Sequence, residues 1–286
     1  MASQWDNFLR NLGEWRGSFT GIDAQGQELS STPSILTLEQ GAEERLVHFR
    51  LRRFADADLS GEPSRDMQQD YRSLGRQVVF FESGTFCKGN LQVAPATTFG
   101  GEFGFVCGDR RHRLVQLHSS DGRFEQLVLI REFRAGSEAV EQPPLRPEAL
   151  AGRWSGVAAT ITADWPEPSH SDCLITAETT ADGGLRLQSE LAGQSESWSV
   201  AGGSGPVLSG SGSSAANGGA INTHNLRLTL LADGGYNLSP VQVSHQAAFS
   251  IEAGWLSGPN RLERLIRRYD RTGAWLSATQ IIASRA

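Results

Sequence analysis

The stretch "NLGEWRGSFT" at residues 11–20 decides the fold, because a near-copy, "LAGRWSGVAA", recurs at residues 150–159. Both contain Gly-x-Trp-x-Gly shortly after a leucine and just before a β-prone run. A short helical pattern precedes each copy. Ser3 is a predicted N-cap with Asp6 as its capping-box partner, and Pro147 is a predicted first helical residue. This repeated order of helix, glycine, tryptophan and strand predicts an internal duplication.

A second landmark repeats near the end of each half, as "LIREF" and then "LIRRY". Trp15 to Arg131 is 131 − 15 = 116 residues, and Trp154 to Arg267 is 267 − 154 = 113 residues. Because a guanidinium group stacks favourably on an indole ring, we predict that each arginine covers the tryptophan of its own half. The predicted structural signature is Gly13, Trp15, Arg131, Gly152, Trp154 and Arg267.

After each helix the hydrophobic period changes to two, with alternating runs separated by turn residues. Each half is long enough for one antiparallel barrel. A proline-rich linker at 139–147 divides a first domain, 1–138, from a second, 148–286. The composition predicts turns at 54–66 and a flexible Gly/Ser-rich loop at 202–219.

The Gly-x-Trp motif on a first strand, together with a late-strand arginine, resembles the lipocalin or calycin superfamily. Two such units in one chain resemble a tandem-barrel family known mainly from cyanobacteria and plastid-bearing organisms, largely of unassigned function. The resemblance implies an all-β protein of two tandem antiparallel lipocalin-like β-barrels, each opened by a short N-terminal helix. It also implies a relation in fold to phycobilin lyases, but no lyase motif matches here, and fold alone does not carry function.

Composition excludes several classes of function. The net charge of −6 argues against a nucleic-acid partner, which needs a clustered positive surface. Three cysteines, without zinc spacing or an N-terminal signal pattern, favour a reducing, cytoplasmic location. No apolar run approaches the length of a transmembrane segment. The histidines are scattered, so we predict no metal site and no cofactor.

Aromatic residues are divided unevenly between the halves, with twelve of 13 phenylalanines in the first. Strand alternation puts Phe103 and Phe105 on one face of their strand and Phe49 beside Val47 and Leu51 on another. These three phenylalanines are candidate lining residues for a large, flat, apolar ligand such as a tetrapyrrole, a carotenoid or a fatty acid. The alternative is that the rings fill the first barrel completely.

Arginine supplies 25 of the 26 basic side chains, and Lys88 is the single lysine. Arg110, Arg111 and Arg113 lie where a turn enters a strand, so they are candidates for binding the acidic end of a ligand. The alternative is a solvated hairpin end. We predict that Arg264 and Arg268 lie on the outer face of the second barrel.

The irregular segment "ADWPEPSHSDC" carries Trp165, which is a candidate lid or partner contact. A rigid loop that closes the barrel explains the segment equally well.

The sequence supports three hypotheses for function. The first is a non-enzymatic carrier of a hydrophobic small molecule, such as a bilin, a carotenoid or a lipid, in the Phe-rich first barrel. The second is a chromophore lyase or isomerase acting on such a ligand, which requires a thiol or polar group beside it. The third is an interaction or assembly protein with filled barrels and an unknown protein partner.

Overall fold

The computed structural model describes residues 2–57, 59–164, 167–216 and 219–286, which form short helices and antiparallel strands. None of these helices is long and apolar enough to cross a membrane. The elements of the first half are α1 (Gln4–Leu9), β1 (Gly13–Ile22), β2 (Glu28–Gln40), β3 (Val47–Arg53), β4 (Arg65–Tyr71), β5 (Val78–Phe80), β6 (Phe86–Gly89), β7 (Phe99–Cys107), β8 (Arg110–His118) and β9 (Phe124–Arg134).

The elements of the second half are α2 (Pro147–Leu150), β10 (Gly152–Thr162), β11 (Ser169–Thr179), β12 (Leu185–Leu191), β13 (Gln194–Val200), β14 (Val207–Ala216), β15 (Gly219–Leu230), β16 (Gly235–Pro240), β17 (Phe249–Gly258), β18 (Arg261–Tyr269) and β19 (Trp275–Arg285). The all-β fold class, with two minimal helices, is therefore confirmed.

The short helix α1 begins as its sequence predicts. The Ser3 hydroxyl accepts a hydrogen bond from the backbone N–H of Asp6 at 3.2 Å, and the Asp6 carboxylate accepts one from the Ser3 N–H at 2.8 Å. This capping box satisfies two backbone donors that a helix otherwise leaves without partners. The helix packs over one end of the first sheet, where Trp5 and Phe8 are buried.

The first half is an open, strongly curved sheet of nine strands, in the order β4-β3-β2-β1-β9-β8-β7-β6-β5. Strand β1 pairs with both β2 and β9, so it lies inside the sheet and joins the N-terminal strands to the C-terminal ones. Closure is not reached, because β4 and β5 are the two ends of the sheet and do not pair with each other.

The second half is a closed barrel of ten strands, β10 to β19 in sequence order, with β10 paired to β19. The predicted flexible loop at 202–219 is corrected here, because most of it forms β14 in the barrel wall. Small residues suit this strand: a Cβ on Gly210 would lie 1.9 Å from the Ser199 carbonyl oxygen of β13. The Gly/Ser-rich composition, which is also typical of linkers, is therefore required here for close packing of β14 against β13.

The two halves match strand for strand except at one position. Counting from the N-terminal side, β1 to β4 correspond to β10 to β13. Counting from the C-terminal side, β5 to β9 correspond to β15 to β19. Strand β14 has no counterpart in the first half, where residues 72–77 take its place.

The convex face of the open sheet packs against the outside of the closed barrel. One hydrophobic cluster spans this boundary, with Phe103 and Phe105 from β7 beside Ile251 and Trp255 from β17. Backbone hydrogen bonds also cross it, such as Phe124 N–H to the Val241 carbonyl at 2.8 Å. The division at 139–147 stays a prediction, because the halves share this core.

Candidate functional site

The concave face of the open sheet encloses a cavity of about 480 Å³. This volume lies within the range of small-molecule sites. Phe8 of α1 and Asn11 of the turn after it close one end, and residues 73–77 lie at the gap between β4 and β5. The apolar and aromatic part of the wall comprises Phe8, Phe19, Leu36, Leu38, Phe49, Leu51, Met67, Tyr71, Leu74, Val78, Phe80, Phe86, Val115 and Ile130.

A charged group forms one side of the cavity, on β7, β8 and β9. Arg113 donates to the Glu132 carboxylate through Nε and Nη2, both at 2.9 Å, and to Glu102 Oε1 through Nη1 at 2.8 Å. Arg111 donates through Nε to Glu132 Oε2 at 2.7 Å. The hydrogen-bonding capacity of Arg113 toward carboxylates is thus largely used within the protein.

Burial and charge act against each other in this group. Burial alone would raise the pKa of Glu132, but the guanidinium groups of Arg111 and Arg113 hold that pKa at about 2. Burial would lower the pKa of Arg113, but Glu132 and Glu102 raise it above its ordinary value. Arg113 and Glu132 are therefore charged at neutral pH.

Two buried polar atoms of cavity residues have no hydrogen-bond partner in the described part of the chain. One is Nη2 of Arg111, a donor, and the other is Oδ1 of Asn11, an acceptor. Buried polar groups are nearly always paired, so each of these atoms needs an explanation. Both atoms are covered by surrounding protein atoms, so a ligand in the cavity reaches them only after side chains move.

The predicted pairing of Trp15 with Arg131 is wrong. The buried Trp15 ring lies between Arg134, at 4.3 Å from its centroid, and Arg111, at 4.6 Å. The strand register explains this, because Trp15 lies opposite Arg134 on β9. Arg131 is an odd number of residues from Arg134 and points to the other face of the strand. There it contacts Thr20 and Glu141 instead.

The pairing of Trp154 with Arg267 is wrong for the same reason. Arg285 lies opposite Trp154 in the register of β10 with β19, and its guanidinium is 4.2 Å from the indole centroid. Arg267 is on the outer face of the barrel, 4.8 Å from the Trp275 ring. It donates there to Sγ of Cys87 at 3.6 Å.

The first glycine of each motif copy is required because the arginine that stacks on the tryptophan also lies against that glycine. Gly13 has φ +122° and Gly152 has φ +130°, which L side chains rarely adopt. A Cβ on Gly13 would lie 2.5 Å from Nη1 of Arg134, and one on Gly152 would lie 2.7 Å from Nη1 of Arg285. The Gly-x-Trp signature therefore provides space for the guanidinium group that covers the indole.

The predicted ligand-binding residues separate into two groups. Phe49, Arg111 and Arg113 line the cavity. Phe103 and Phe105 share a strand face, but that face packs against the second barrel, with the Phe105 and Trp255 centroids 6.1 Å apart. Trp165 lies outside the described residues.

Arg110 also belongs to the contact between the halves. It forms an ion pair with Asp233, donates to the Ser257 carbonyl at 2.9 Å and lies 4.8 Å from the Trp255 centroid. His112, two residues on, stacks on Trp255 at 5.4 Å. Strand alternation directs Arg110 to the face opposite Arg111 and Arg113, so the three arginines do not bind one ligand together. The alternative of a solvated hairpin end also fails, because all three side chains are buried.

Several cavity residues were not expected from sequence. Glu102 precedes Phe103 on β7, so strand alternation directs its side chain to the opposite face, which lines the cavity. Tyr71 lies on β4, whose polar sequence "RDMQQDY" carries no periodic signal. Lys88 lies on the four-residue strand β6.

The interior of the closed barrel is filled with side chains, including Trp154, Trp198 and Leu262. At its centre Arg264 donates to the Glu252 carboxylate through Nε at 2.7 Å and Nη2 at 2.9 Å, and the Tyr236 hydroxyl donates to the same carboxylate at 2.6 Å. The expectation that Arg264 and Arg268 lie outside is therefore wrong. Arg268, with the same parity, forms an ion pair with Glu196.

The thiols lie away from the cavity of the open sheet. Cys87 and Cys173 are buried, and burial raises the pKa of both. None of the three cysteines is among the cavity residues of the described chain. No group of three potential metal ligands occurs within the described ranges.

A wider groove of about 770 Å³ separates α1 from the outside of β10 and β19. Gln4 of α1 and Arg10 just after it form one wall, and the half-exposed Val157 lies in the other. Its lining includes Arg10, Glu82, Glu167, Phe80 and Phe81, but not the buried arginine–glutamate group that borders the cavity in the open sheet.

Comparison with known proteins assigns the family. The family described as "Domain of unknown function (DUF3598), N-terminal" matches residues 1–137. The crystal structure of a protein with unknown function from the DUF3598 family of Nostoc punctiforme is 32% identical in sequence. The match covers 100% of this chain and 100% of that chain, and the two structures superpose with a TM-score of 0.87. The chain belongs to the DUF3598 family. The tandem family inferred from the duplicated motif is thereby confirmed.

Two further similarities belong with this assignment. The family described as "Biogenesis factor required for ATP synthase 1, C-terminal domain" matches residues 141–286. The S-type phycobiliprotein lyase CPES from Guillardia theta is 13% identical over 49% of this chain and 90% of that chain, with a TM-score of 0.36. That similarity is too low to carry an argument on function. No curated protein matches the chain.

Proposed function

We propose that this DUF3598 protein binds an acidic, largely apolar small molecule, such as a bilin or a fatty acid, in the cavity of its open sheet. The observation that carries the proposal is the cavity itself, where an aromatic wall faces a charged one. The apolar wall supplies the binding free energy through burial of the ligand body, at about 25 cal/mol per Å² of apolar surface. The polar groups fix its orientation.

The charges favour an anion over a neutral ligand. Lys88, Arg111 and Arg113 contribute three positive charges, and Glu102 and Glu132 two negative ones, so the group has a net charge of 3 − 2 = +1. The whole chain, in contrast, carries a net charge of −6. A carboxylate beside these side chains would neutralise this excess.

A role as a non-enzymatic carrier is better supported than a role as an enzyme that modifies the ligand covalently. A chromophore lyase or isomerase would need a reacting group beside the bound molecule. In the described chain the carboxylates at the cavity, Glu102 and Glu132, are already paired with Arg113, and the cysteines lie elsewhere. We place the protein in the cytoplasm as part of the same proposal.

Native mass spectrometry and absorption spectroscopy test this proposal on protein purified from a pigment-producing photosynthetic host and then supplied with biliverdin, palmitate or β-carotene. The two carboxylic acids should bind, whereas β-carotene, which has no acid group, should not. Phe49→Ala should weaken binding about tenfold by removing cavity wall. The matched control, Leu276→Ala on the outside of the second barrel, should leave it unchanged.

Three outcomes would overturn the proposal. They are a preparation that takes up none of the probes, equal binding of β-carotene and biliverdin, and equal effects of the two variants. The last result would locate the ligand outside this cavity.

Assembly of a protein complex is a second candidate, because residues 141–286 match a domain named for a biogenesis factor of ATP synthase. The filled interior of the second barrel supports an activity on its outer surface. Cross-linking in intact cells of the host, followed by mass spectrometry, should then recover ATP synthase subunits attached near exposed residues such as Val157 and Val241. Recovery no higher than from cells lacking the protein would remove this candidate.

A further inference from the structure

Two arginines face each other at one end of the open sheet. Arg53 is the last residue of β3 and Arg65 is the first residue of β4, and the two are direct partners in the antiparallel register. The next pair on the same face is Leu51 with Met67, and both of these residues line the cavity. Because residues two apart on a strand share a face, the two arginines continue the apolar cavity wall with a pair of positive charges.

This arginine pair lies at the end of the sheet that α1 does not cover. The far end of β4 is Tyr71, whose ring centroid is 5.6 Å from that of Phe8 in α1. Beside Arg65, in contrast, Met67 is 38% exposed. A molecule that enters from solvent at this end can contact the arginines with a polar head while its apolar body lies on the cavity wall.

The outer face of β3 shows what the arginine pair lacks. There Arg50 forms an ion pair with Asp66 at 2.7 Å. Within the described ranges, neither Arg53 nor Arg65 forms an ion pair with a carboxylate, and neither guanidinium donates a hydrogen bond. Like charges directly opposite each other on neighbouring strands are destabilising, so an anion bound between the two arginines would stabilise this end of the sheet.

Arg53 is held beside the cavity by an aromatic contact. Its guanidinium lies 4.1 Å from the centroid of Phe19, a cavity residue, and the guanidinium of Arg113 lies 5.6 Å from the same centroid. Burial lowers the pKa of Arg53, and the positive charges of Arg65 and Arg113 act in the same direction. The surroundings of Arg53 therefore oppose its charge, and a bound anion would offset this cost.

We propose that Arg53 and Arg65 bind the head group of the cavity ligand, and that this head group carries two negative charges, as a phosphate monoester does. The inference rests on the proposed function, because the apolar body of the ligand still occupies the cavity. Guanidinium groups bind phosphate oxygens through paired hydrogen bonds. Arg113 is less suited to this role, since it already donates to Glu132 and Glu102.

Isothermal titration calorimetry of the full-length protein tests the charge of the head group. The probes are dodecyl phosphate and dodecanoate, which have the same alkyl chain, and inorganic phosphate, which has none. At about pH 8 the phosphate ester carries two charges and the carboxylate carries one. Dodecyl phosphate should bind at least about tenfold more tightly than dodecanoate. Inorganic phosphate should bind far more weakly than either, because it buries no apolar surface.

Substitutions locate the site. Arg53→Gln and Arg65→Gln should each weaken binding of dodecyl phosphate by about tenfold or more and binding of dodecanoate by less. The matched control is Arg50→Gln on the outer face of the same strand, where the side chain is paired with Asp66, and it should leave both affinities unchanged. Phe49→Ala removes cavity wall and should weaken both amphiphiles alike.

The stability of the unliganded protein provides a second measurement. Arg65 is exposed, and its removal relieves the repulsion with Arg53. At low ionic strength the urea midpoint of Arg65→Gln should therefore be no lower than that of the unchanged protein. Dodecyl phosphate should raise the midpoint of the unchanged protein more than that of the variant.

Four results would overturn the proposal. They are equal affinities for the two amphiphiles, inorganic phosphate that binds as tightly as dodecyl phosphate, equal losses in Arg50→Gln and Arg53→Gln, and a clearly lower urea midpoint for Arg65→Gln. The second result would make free phosphate the ligand. If Phe49→Ala weakened binding and the arginine variants did not, the cavity would keep its proposed function and the head-group site would be wrong. Binding of neither amphiphile would remove both.

Discussion

At the scale of single residues, the stack on Trp15 is the feature most open to test. Arg134 covers the indole at 4.3 Å and donates to the Leu12 carbonyl at 2.9 Å, which ties β9 to the turn between α1 and β1. Such a stack is worth about 0.5–2 kcal/mol, and a charged hydrogen bond about 1.5–3 kcal/mol. We expect Arg134→Ala to lower the free energy of unfolding by about 2–3 kcal/mol in urea titration.

The matched control for that substitution is Arg131→Ala, three residues earlier on the same strand. Arg131 makes a partly exposed ion pair with Glu141 and does not touch Trp15. Its removal should cost less than about 1 kcal/mol. Equal losses for the two variants would contradict the assignment of Arg134 as the partner of Trp15.

His118 gives the molecule a defined acid sensitivity. Burial lowers the pKa of its imidazole from 6.5 to about 4, although its contact with the Pro240 carbonyl at 3.3 Å opposes the shift. The unfolded chain therefore binds a proton that the folded chain does not between these pH values. Stability from this group is complete above pH 6.5 and is lost as the pH falls toward 4.

The size of that effect follows from the shift of 6.5 − 4 = 2.5 pKa units, which corresponds to about 3 kcal/mol. In His118→Gln, the loss of unfolding free energy between pH 7 and pH 4 should be smaller than in the unchanged protein by about this amount. Urea titrations at a series of pH values measure it. If the unfolding free energies of the two proteins changed equally with pH, another group would be responsible for the loss of stability in acid.

At the scale of elements, the same arginine–glutamate pair occurs in both halves in different surroundings. Arg113 and Glu102 on β8 and β7 correspond to Arg264 and Glu252 on β18 and β17, since Gly104 pairs with Arg113 as Gly254 pairs with Arg264. Phe86 occupies the position of Tyr236, and a Cβ on either glycine would collide with that ring. The first pair borders a cavity, and the second lies in a filled barrel.

Removal of the glutamate should therefore have unequal costs in the two halves. Glu252→Ala leaves Arg264 buried without a carboxylate, and should cost about 3–5 kcal/mol of unfolding free energy. Glu102→Ala should cost less than half as much, because Arg113 keeps Glu132 and Glu102 is 22% exposed. Chemical denaturation of both variants decides this, and a larger loss for Glu102→Ala would contradict the reasoning that the buried Arg264 depends on its glutamate more than Arg113 does.

An element could be predicted from the sequence where burial or capping imposes a recognisable residue pattern on it. Strands with one apolar face, such as β7 and β8, and the capped helix α1 were evident in the sequence. Strand β4 was not, because both of its faces are exposed and "RDMQQDY" shows no alternation of apolar and polar residues. Strand β14 was missed because glycine and serine serve close packing there as well as flexibility in linkers.

Side-chain partners were harder to predict than strands. The true spacings from tryptophan to arginine are 134 − 15 = 119 and 285 − 154 = 131 residues, so the repeat is concealed by insertions in the second half. For Phe103 and Phe105, alternation correctly placed both on one face. It could not show which face lines a cavity, because both faces of β7 are covered by other parts of the protein.

At the scale of the whole molecule, the shared core between the halves determines how the chain unfolds. Phe105 is fully buried between the open sheet and the closed barrel, where it meets Trp255. The ion pair of Arg110 with Asp233 and the backbone hydrogen bonds between 91–93 and 273–275 cross the same boundary. Neither half can bury this surface alone, so we expect one cooperative unfolding transition.

Phe105→Ala tests that cooperativity, because the cavity it leaves belongs to both halves at once. We expect a loss of about 3–5 kcal/mol of unfolding free energy. Amide exchange should accelerate together in β8 of the open sheet and β18 of the barrel, since both strands pack on the shared core. Phe49→Ala, a half-buried ring at the cavity, is the matched control and should cost less. If Phe105→Ala accelerated exchange in β8 alone, the halves would be independent folding units, and the boundary at 139–147 would separate two autonomous domains.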